Sequence, residues 1–426
     1  MLPENWKCVE LGQVADLITG FAFPSKAFVA PSNSTVRLLR GDNVMQGYLR
    51  WDDAKHYSDA SKTLARYELR QGDVVIALDR PITNAGLKCS VVAPQDLPCL
   101  LVQRVARLRG LESLHQSYLA QVTQLDSFKT HLLGNKTETA VPHVSPNVLR
   151  SFKFAVPSEV SEQEKVAEIL GVWDAAIFAS EKLLASSRTN ERLLTQQLVL
   201  GKIRLNGFNV ENDVVSTRFG KFPADWERFR IERVATEISV KNAHCESLPV
   251  LSCTKHAGLV ASLEYFKKRV FSHDTSTYKI VEKGCFAYAT NHIDEGSIGY
   301  QDVLERGLIS PMYTVFKANN VIDDRYLYKL LKTEHYRQIF AATINASVDR
   351  RGSLRWSDFK RIEIPVPPLA EQAKIVGVVS ALEKETEILE LQTIKLKKEK
   401  ASLMQDLLTG KRRVRLPAHI STPTAA

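Results

Sequence analysis

The chain repeats itself once, and the repeat limits the folds open to it. Pro3-Glu4-Asn5-Trp6 returns as Pro223-Ala224-Asp225-Trp226, and Val156-Pro157 returns as Val366-Pro367. Leu69-Arg70-Gln71-Gly72, ahead of a β-rich run, has its counterpart in Val281-Glu282-Lys283-Gly284, and Ser117-Tyr118-Leu119 in Arg325-Tyr326-Leu327. Glu162-Gln163 with Lys165 matches Glu371-Gln372 with Lys374. Leu194-x-Gln196-x-Leu198-x-x-Gly201-Lys202 matches Leu403-x-Gln405-x-Leu407-x-x-Gly410-Lys411. A period of about 210 residues is far longer than that of a solenoid, so the unit of repetition is a whole module. The match is uneven. Residues 158–202 and 367–411 agree well, whereas 20–150 and 240–355 share little. Two modules with a common scaffold and different middles suggest two readers of different things.

Each module opens with short apolar runs bounded by turn formers, such as Val74–Leu78, Cys99–Val102 and Met312–Phe316. These spacings predict strands. Helical stretches near 113–133 and 323–342 make each module mixed α/β. Each then ends in a long helix. Prolines at 157 and at 367–368 mark the starts, and Gly201 and Gly410 mark the stops. About 42 residues at 1.5 Å each give roughly 63 Å. The first helix carries Leu170, Trp173, Ile177, Leu184, Leu194 and Leu198 on one stripe, interrupted by Ser180, Ser187 and Glu191. The second carries Val379, Leu382, Leu389, Leu396, Leu403 and Leu407, weakened by Thr386, Thr393 and Lys400. Such heptad stripes predict that the helices pair as a coiled coil. Antiparallel pairing would relate the modules by a pseudo-two-fold axis and set them apart. The fold class expected is α+β, with two related mixed α/β domains separated by two long antiparallel coiled-coil helices.

Composition excludes more than it selects. The 426 residues are 44% hydrophobic and 25% charged, ordinary for a protein with a core. No apolar run suits a membrane span or a secretory signal, so a cytoplasmic protein is expected. The six cysteines form no C-x-x-C pair and no metal-ligand cluster, so reduced, mostly buried thiols are expected. Net charge is +9, but residues 395–415 alone contribute +6. That balance is compatible with nucleic acid without singling it out. Both Gly-Lys pairs lack the upstream glycine of a phosphate loop, having Gln196 and Gln405 instead. No Asn/Asp-Pro-Pro-Tyr/Phe motif for adenine methylation occurs, and Ser310-Pro311-Met312-Tyr313 is only a superficial echo.

The opening Val366-Pro367-Pro368-Leu369-Ala370-Glu371-Gln372, the ending Leu407 to Arg412 and the duplicated organisation resemble the specificity subunits of type I restriction–modification systems. The first copy, Pro157-Ser158-Glu159-Val160-Ser161-Glu162-Gln163, is one residue longer. The resemblance implies a first target-recognition domain over 1–157, a spacer helix over 158–205, a linker over 206–222, a second target-recognition domain over 223–366, a spacer helix over 367–411 and a basic, then flexible, tail over 412–426. It implies a bipartite, asymmetric site in double-stranded DNA, one half per domain, with the helices setting the spacer. It implies two partner methyltransferase subunits on the helices and motor–nuclease subunits in the full complex. The chain itself would be non-catalytic and hold no cofactor or metal. S-adenosylmethionine, ATP and magnesium would belong to the partners.

DNA reading needs Arg and Lys for guanine and phosphate and Asn and Gln for adenine, on loops that reach a groove. The first domain offers Arg40, Asn43, Arg80, Asn84, Lys88, Gln103 and Arg104. The second offers Thr254, Lys255, Lys267, Lys268, Arg269, Asn291, His292, Arg350, Arg351 and Arg355. Asp79-Arg80 and Asn291-His292 fall at equivalent repeat positions. Trp6 and Trp226 read as core anchors. Three alternatives stand beside this reading: a self-contained restriction or methylation enzyme, a recognition subunit of a fused nuclease–methylase system, and a coiled-coil scaffold with no role on DNA.

Overall fold

A computed structural model describes residues 2–58, 62–84, 86–135, 142–208, 213–217, 220–346 and 352–415. The chain divides into two compact units, one of residues 1–181 and 391–426, the other of residues 182–390. Each is therefore built from one globular module and a stretch of both long helices.

In the first unit a four-stranded antiparallel sheet runs in the order Ala15–Thr19, Val105–Gly110, Val74–Ala77, Cys89–Val91. Val74, Val75, Ile76 and Ala77 are all buried, so this strand has no solvent face. A separate pair joins Trp6–Glu10 to Lys153–Pro157. Helices Gln116–Val122 and Asp126–Gly134 pack Tyr118, Leu119, Phe128 and Leu132 into the same core. Met404, Leu407 and Leu408, from the end of the second long helix, complete it.

The second unit repeats that plan. Its sheet runs Ala235–Ile238, Tyr313–Ala318, Cys285–Ala289, Ile298–Tyr300. Glu227–Arg230 pairs with Glu363–Val366, and helices Asp324–Leu331 and Glu334–Ala346 supply Tyr326, Leu327, Tyr336 and Phe340. Here Leu198, Val199 and Leu200, from the end of the first long helix, enter the core. The helical stretch expected near 113–133, and again near 323–342, is thus two helices in each module.

The modules part company in their second layer. The first unit has a mixed sheet ordered Cys99–Leu101, Val36–Leu39, Lys55–Tyr57, Phe28–Val29, whose first two strands are parallel. The second has two separate antiparallel pairs, Leu251–Thr254 with Gly258–Ala261 and Lys279–Glu282 with Arg306–Ile309. These are the stretches in which the two halves share little sequence. The segment expected as linker, 206–222, contributes to a further strand pair, Val214–Thr217 with Gly220–Pro223.

The long helices span Val160–Val199 and Leu369–Leu407, slightly shorter than the proline-to-glycine reading. They run antiparallel in each unit. In the first, Ser180 Oγ and Thr393 Oγ1 lie 2.7 Å apart, and buried Lys400 donates to Asp174 and to Gln124 Oε1. In the second, Ser187 Oγ and Thr386 Oγ1 lie 3.0 Å apart, and Arg188 pairs with Glu390. Leu170, Leu184, Leu198, Val379 and Leu407 are buried, while Trp173, Ile177, Leu194, Leu382, Leu389, Leu396 and Leu403 are half-buried. Of the apparent interruptions of the stripe, Ser180, Ser187, Thr386, Thr393 and Lys400 make these polar contacts.

Each helix start carries a buried glutamate with the same partners. Glu162 accepts from Trp6 Nε1 at 3.3 Å and from Arg413 Nε and Nη2 at 3.0 and 2.7 Å. Glu371 accepts from Trp226 Nε1 at 3.0 Å and from Arg204 Nε and Nη2 at 2.7 and 3.0 Å. The following glutamines tie the helices to their modules. Gln163 accepts from His115 N, and Gln372 accepts from Asp323 N. Gly201 has φ 65°, and a Cβ there would lie 2.5 Å from Pro223 Cδ; Gly410 has φ 76°, and its Cβ would lie 2.8 Å from Pro3 Cδ.

The two clasps differ in exposure, which sets an expected difference in stability. Arg204 is 8% exposed and also holds Asp225, whereas Arg413 is 44% exposed. Arg204→Met, which strands a buried carboxylate, should cost about 3–5 kcal/mol in urea unfolding. Arg413→Met should cost about 1–3 kcal/mol, because water can reach the vacated place. The hydrogen bond from Arg204 holds the Asp225 carboxyl below its ordinary 3.8. That contribution is present above this pH and is lost as pH falls below it. The gap between wild type and Arg204→Met should therefore narrow in acid, and equal losses for the two variants would refute the exposure argument.

Candidate nucleic-acid interface

In the first module the strand Val74–Ala77 delivers a loop, 78–81, to the sheet's end. Leu78 N donates to Arg104 O at 2.8 Å and Arg80 N to Pro142 O at 2.8 Å, so the loop is stitched to two other segments. Arg80 and Arg104 both adopt left-handed backbone, with φ 44° and 70°. Both are exposed, as is Gln103 in the same turn as Arg104. Asp79 Oδ1 accepts from Arg104 Nη1 at 3.3 Å and lies 2.6 Å from His143 Nδ1. Lys88 returns after the hairpin of Ile82–Thr83 and Gly86–Leu87, in whose turn Asn84 is exposed. Burial pushes the Lys88 ammonium down; Asp42 and Asp79 oppose that, and the cations Arg50 and Arg80 reinforce it. Arg40, paired with Asp42 at 3.4 Å, and exposed Arg50 flank the neighbouring turn.

Asn43 sits in that turn with a different duty. It is buried, its Oδ1 accepts from Arg40 N at 3.1 Å and its Nδ2 donates to Arg50 O at 3.0 Å. Its amide is committed to the loop, so it holds Arg40 and Arg50 in place and has no edge left for a base. Thr254 is spent likewise. Its Oγ1 donates to Gly258 O at 3.2 Å and accepts from Ala257 N at 3.0 Å, closing the turn of its hairpin.

In the second module Lys332 Nζ donates to Lys255 O and Gly296 O, both at 2.9 Å, which joins the Lys255 turn to the loop 290–296. Asn291 and His292 are exposed on that loop, His292 Nδ1 lying 3.1 Å from Glu295 Oε1. Leu354 N donates to Thr290 O at 2.7 Å, bringing exposed Arg355 beside the same loop at the start of the helix Trp356–Phe359. Lys267, with φ 52°, ends the short helix Ser262–Phe266, and Lys267 and Lys268 are exposed. Arg269 donates to Phe271 O and Ser272 O and lies 4.8 Å over the Phe271 ring, so its contacts remain in its own segment. Arg350 and Arg351 lie outside the described residues.

The sequence marked Asp79 only as the neighbour of Arg80 at a repeat position and passed over His143 and Arg50, because a lone histidine and a turn arginine carry no pattern by themselves. Arg204 and Arg413 did leave a signal, each standing three residues after its repeated glycine. Three of the thiols are poor nucleophiles: Cys89, Cys99 and Cys253 are pushed up to about 12 by burial. Of the six, Cys99, Cys253 and Cys285 are buried, Cys89 is half-buried and Cys8 and Cys245 are exposed. Among the described residues no group of His, Cys, Asp and Glu could hold a metal ion, and no helix is long and apolar enough to cross a membrane.

Comparison with known proteins fits this duplicated architecture. The family model described as type I restriction modification DNA specificity domain matches residues 3–185 and 252–398. The EcoAI specificity subunit of Escherichia coli is 33% identical over 166 residues, 39% of this chain and 28% of that protein. The MjaVIII specificity subunit of Methanocaldococcus jannaschii is 29% identical over 210 residues, 49% of this chain and 48% of that protein. The chain thus aligns with less than half the length of either relative. Two solved structures share the fold across nearly the whole chain. One, reported in work on assembly and conformational transition of the type I R-M system, has TM-score 0.58, 17% identity and coverage of 97% and 100%. The other, the S subunit from M. genitalium, has TM-score 0.57, 13% identity and coverage of 96% and 98%. With the matched domain present in both halves, the chain belongs to the family of type I restriction–modification specificity subunits.

Proposed function

We propose that this chain is the non-catalytic DNA-reading subunit of a type I restriction–modification complex. Each module reads one half of a bipartite, asymmetric site in double-stranded DNA, and the paired helices set the spacer. The observation that carries the reading is the contrast within the repeat. Two modules keep one inner sheet and one set of helices, yet differ in the outer layer, while exposed Arg80 and Asn291-His292 leave the ends of equivalent strands. A constant frame with variable loops is the expected division of labour for two readers on one scaffold.

Partners would dock on the helices. Phe178 is 69% exposed and Leu391 60%, and Val172, Leu183, Ile388 and Ile394 are also exposed on these helices. Apolar side chains at such density on helical outer faces mark an interaction surface. Two methyltransferase subunits would cover it, use S-adenosylmethionine and take the target adenine out of the stack while this chain holds the site. ATP-driven motor–nuclease subunits with magnesium would join them. A cytoplasmic location follows from a role on DNA.

The test is adenine-methylation mapping in cells carrying this chain with its methyltransferase, against cells lacking it. A bipartite methylated motif that vanishes on deletion is the expected outcome, and methylation unaffected by the deletion would reject the reading. Phe178→Glu with Leu391→Glu should leave the chain folded but abolish co-purification with the methyltransferase; intact co-purification would place docking elsewhere. Inserting seven residues at matched positions of both helices preserves the seam and adds about 10 Å. The spacer should then lengthen by about three base pairs at 3.4 Å each, with both half-sites unchanged. Altered half-sites would rule out the helices as a ruler.

A further inference from the structure

Asp79 is an acid in a place where cations gather, with Asp42 beside Arg40 the other carboxylate close to Lys88. Arg50 and Arg80 lie close enough to act on Lys88, and Arg104 pairs with Asp79 itself. A carboxylate on a surface that meets phosphates is repelled by them, so its presence needs a reason. Stability does not supply one. The Asp79 side chain is 33% exposed and that of Arg104 59%, and ion pairs this wet contribute little.

Direction is the better reason. Asp79 Oδ1 engages Arg104 Nη1 and His143 Nδ1 at 3.3 and 2.6 Å. Around that atom the main chain closes three segments on one another through Leu78 N to Arg104 O, Arg80 N to Pro142 O and Val144 N to Leu78 O. The two arginines at this junction, Arg80 and Arg104, are both left-handed. A residue with a Cβ holds that conformation only where its surroundings over-determine it. Arginine recognises guanine through two parallel N–H donors to O6 and N7, which requires the guanidinium to arrive in a set plane.

We infer that Asp79 is a positioning residue for base recognition by the first module, fixing the direction in which Arg104 leaves the surface without touching DNA itself. This rests on the reading of the face as a DNA interface. His143 anchors the carboxylate from one side, and Arg104 takes its orientation from the other. One guanidinium N–H is spent on Asp79, and the Arg104 side chain as a whole remains 59% exposed.

The experiment uses the full chain assembled with its methyltransferase, with Asp79→Asn, Arg104→Ala and the double variant. Methylation mapping reads the motif, and DNA binding across a salt series reads phosphate contacts. Asp79→Asn and Arg104→Ala should relax the same base position in one half-site, by on the order of tenfold in discrimination. The other half-site should not change, and the double variant should be no worse than Arg104→Ala. The salt slope of Asp79→Asn should equal that of wild type, since no phosphate contact is removed. If Asp79→Asn relaxes a position that Arg104→Ala leaves intact, Asp79 reads a base directly and the inference fails. An unchanged motif with a lowered Tm reduces Asp79 to a structural role and also overturns it. Should Asp79→Asn not assemble, Asp79→Glu displaces the carboxylate by one methylene; relaxation at the Arg104 position supports the inference, and an unaltered motif rejects it. A wild-type chain that directs no bipartite methylation would instead end the DNA reading on which the inference stands.

Discussion

A glutamate buried at the first turn of a long helix must find donors, because an unpaired buried carboxylate is among the most expensive groups a protein can hold. Glu162 and Glu371 find the same donors, a tryptophan indole and an arginine fork. This solution accounts for three repeated motifs at once. Pro-x-x-Trp supplies the indole, with Trp6 N donating to Pro3 O and Trp226 N to Pro223 O in matching turns. Gly201 and Gly410 turn the chain in the left-handed region hard against those prolines, and the arginine three residues later reaches the carboxylate. The arginine in each clasp follows the helix that ends in that unit, so helix end, helix start and module entry meet at one point. That is why Leu198 to Leu200 and Met404 to Leu408 belong to module cores rather than to a free coil.

The helical seam follows a related logic. A purely leucine seam would be stable in more than one register, since each heptad step offers the same apolar match. The hydroxyl pairs Ser180–Thr393 and Ser187–Thr386 form together only in the present alignment, although Thr386 Oγ1 also donates to Leu382 O of its own helix. Lys400, buried at a seam position, is satisfied only where Asp174 and Gln124 converge on it. Moving the seam by a heptad would keep at most one of the two hydroxyl pairs and would carry Lys400 away from Asp174, and leaving a buried lysine without its carboxylate is the larger cost. The polar residues weaken the seam in exchange for fixing it.

How much of this is legible in sequence depends on whether the physics repeats. The long helices, the inner-sheet strands and the role of Trp6 and Trp226 as core anchors were readable because their patterns occur twice, with regular spacing. The meaning of Ser180, Thr386 and Lys400 was not, since a polar residue in an apolar stripe looks the same whether it faces water or a partner. The outer layers were opaque for another reason: a parallel pairing such as Cys99–Leu101 with Val36–Leu39 joins strands some 60 residues apart, and no local signal reports it. For the interface, residue type located the loops but not the duties within them. Asn43 and Thr254 have the chemistry of base readers, but burial and turn geometry spend it on the backbone. The contacts of Asp79 with Arg104 and His143 join residues 25 and 64 positions away, which no local pattern in the sequence reports.

The separation between the buried strands and the loops at their ends has an energetic basis. Strands Val74–Ala77 and Cys285–Ala289 are buried along their whole length, so their residues are dictated by packing and leave little freedom for change. In the loops leaving their ends Arg80, Asn291 and His292 are exposed, and substitutions at such positions cost little as long as the anchoring main-chain hydrogen bonds remain. Leu78 N to Arg104 O in one module and Leu354 N to Thr290 O in the other are such anchors, made by backbone atoms that every non-proline residue supplies. The frame can therefore hold a loop in place without specifying its side chains. Left-handed backbone at Arg80 and Arg104 is tolerable for a related reason: the strain at each is small beside the burial of the strands that carry it. A scaffold that is rigid where it repeats, and indifferent to side chain where it does not, can change its exposed surface without changing how it folds.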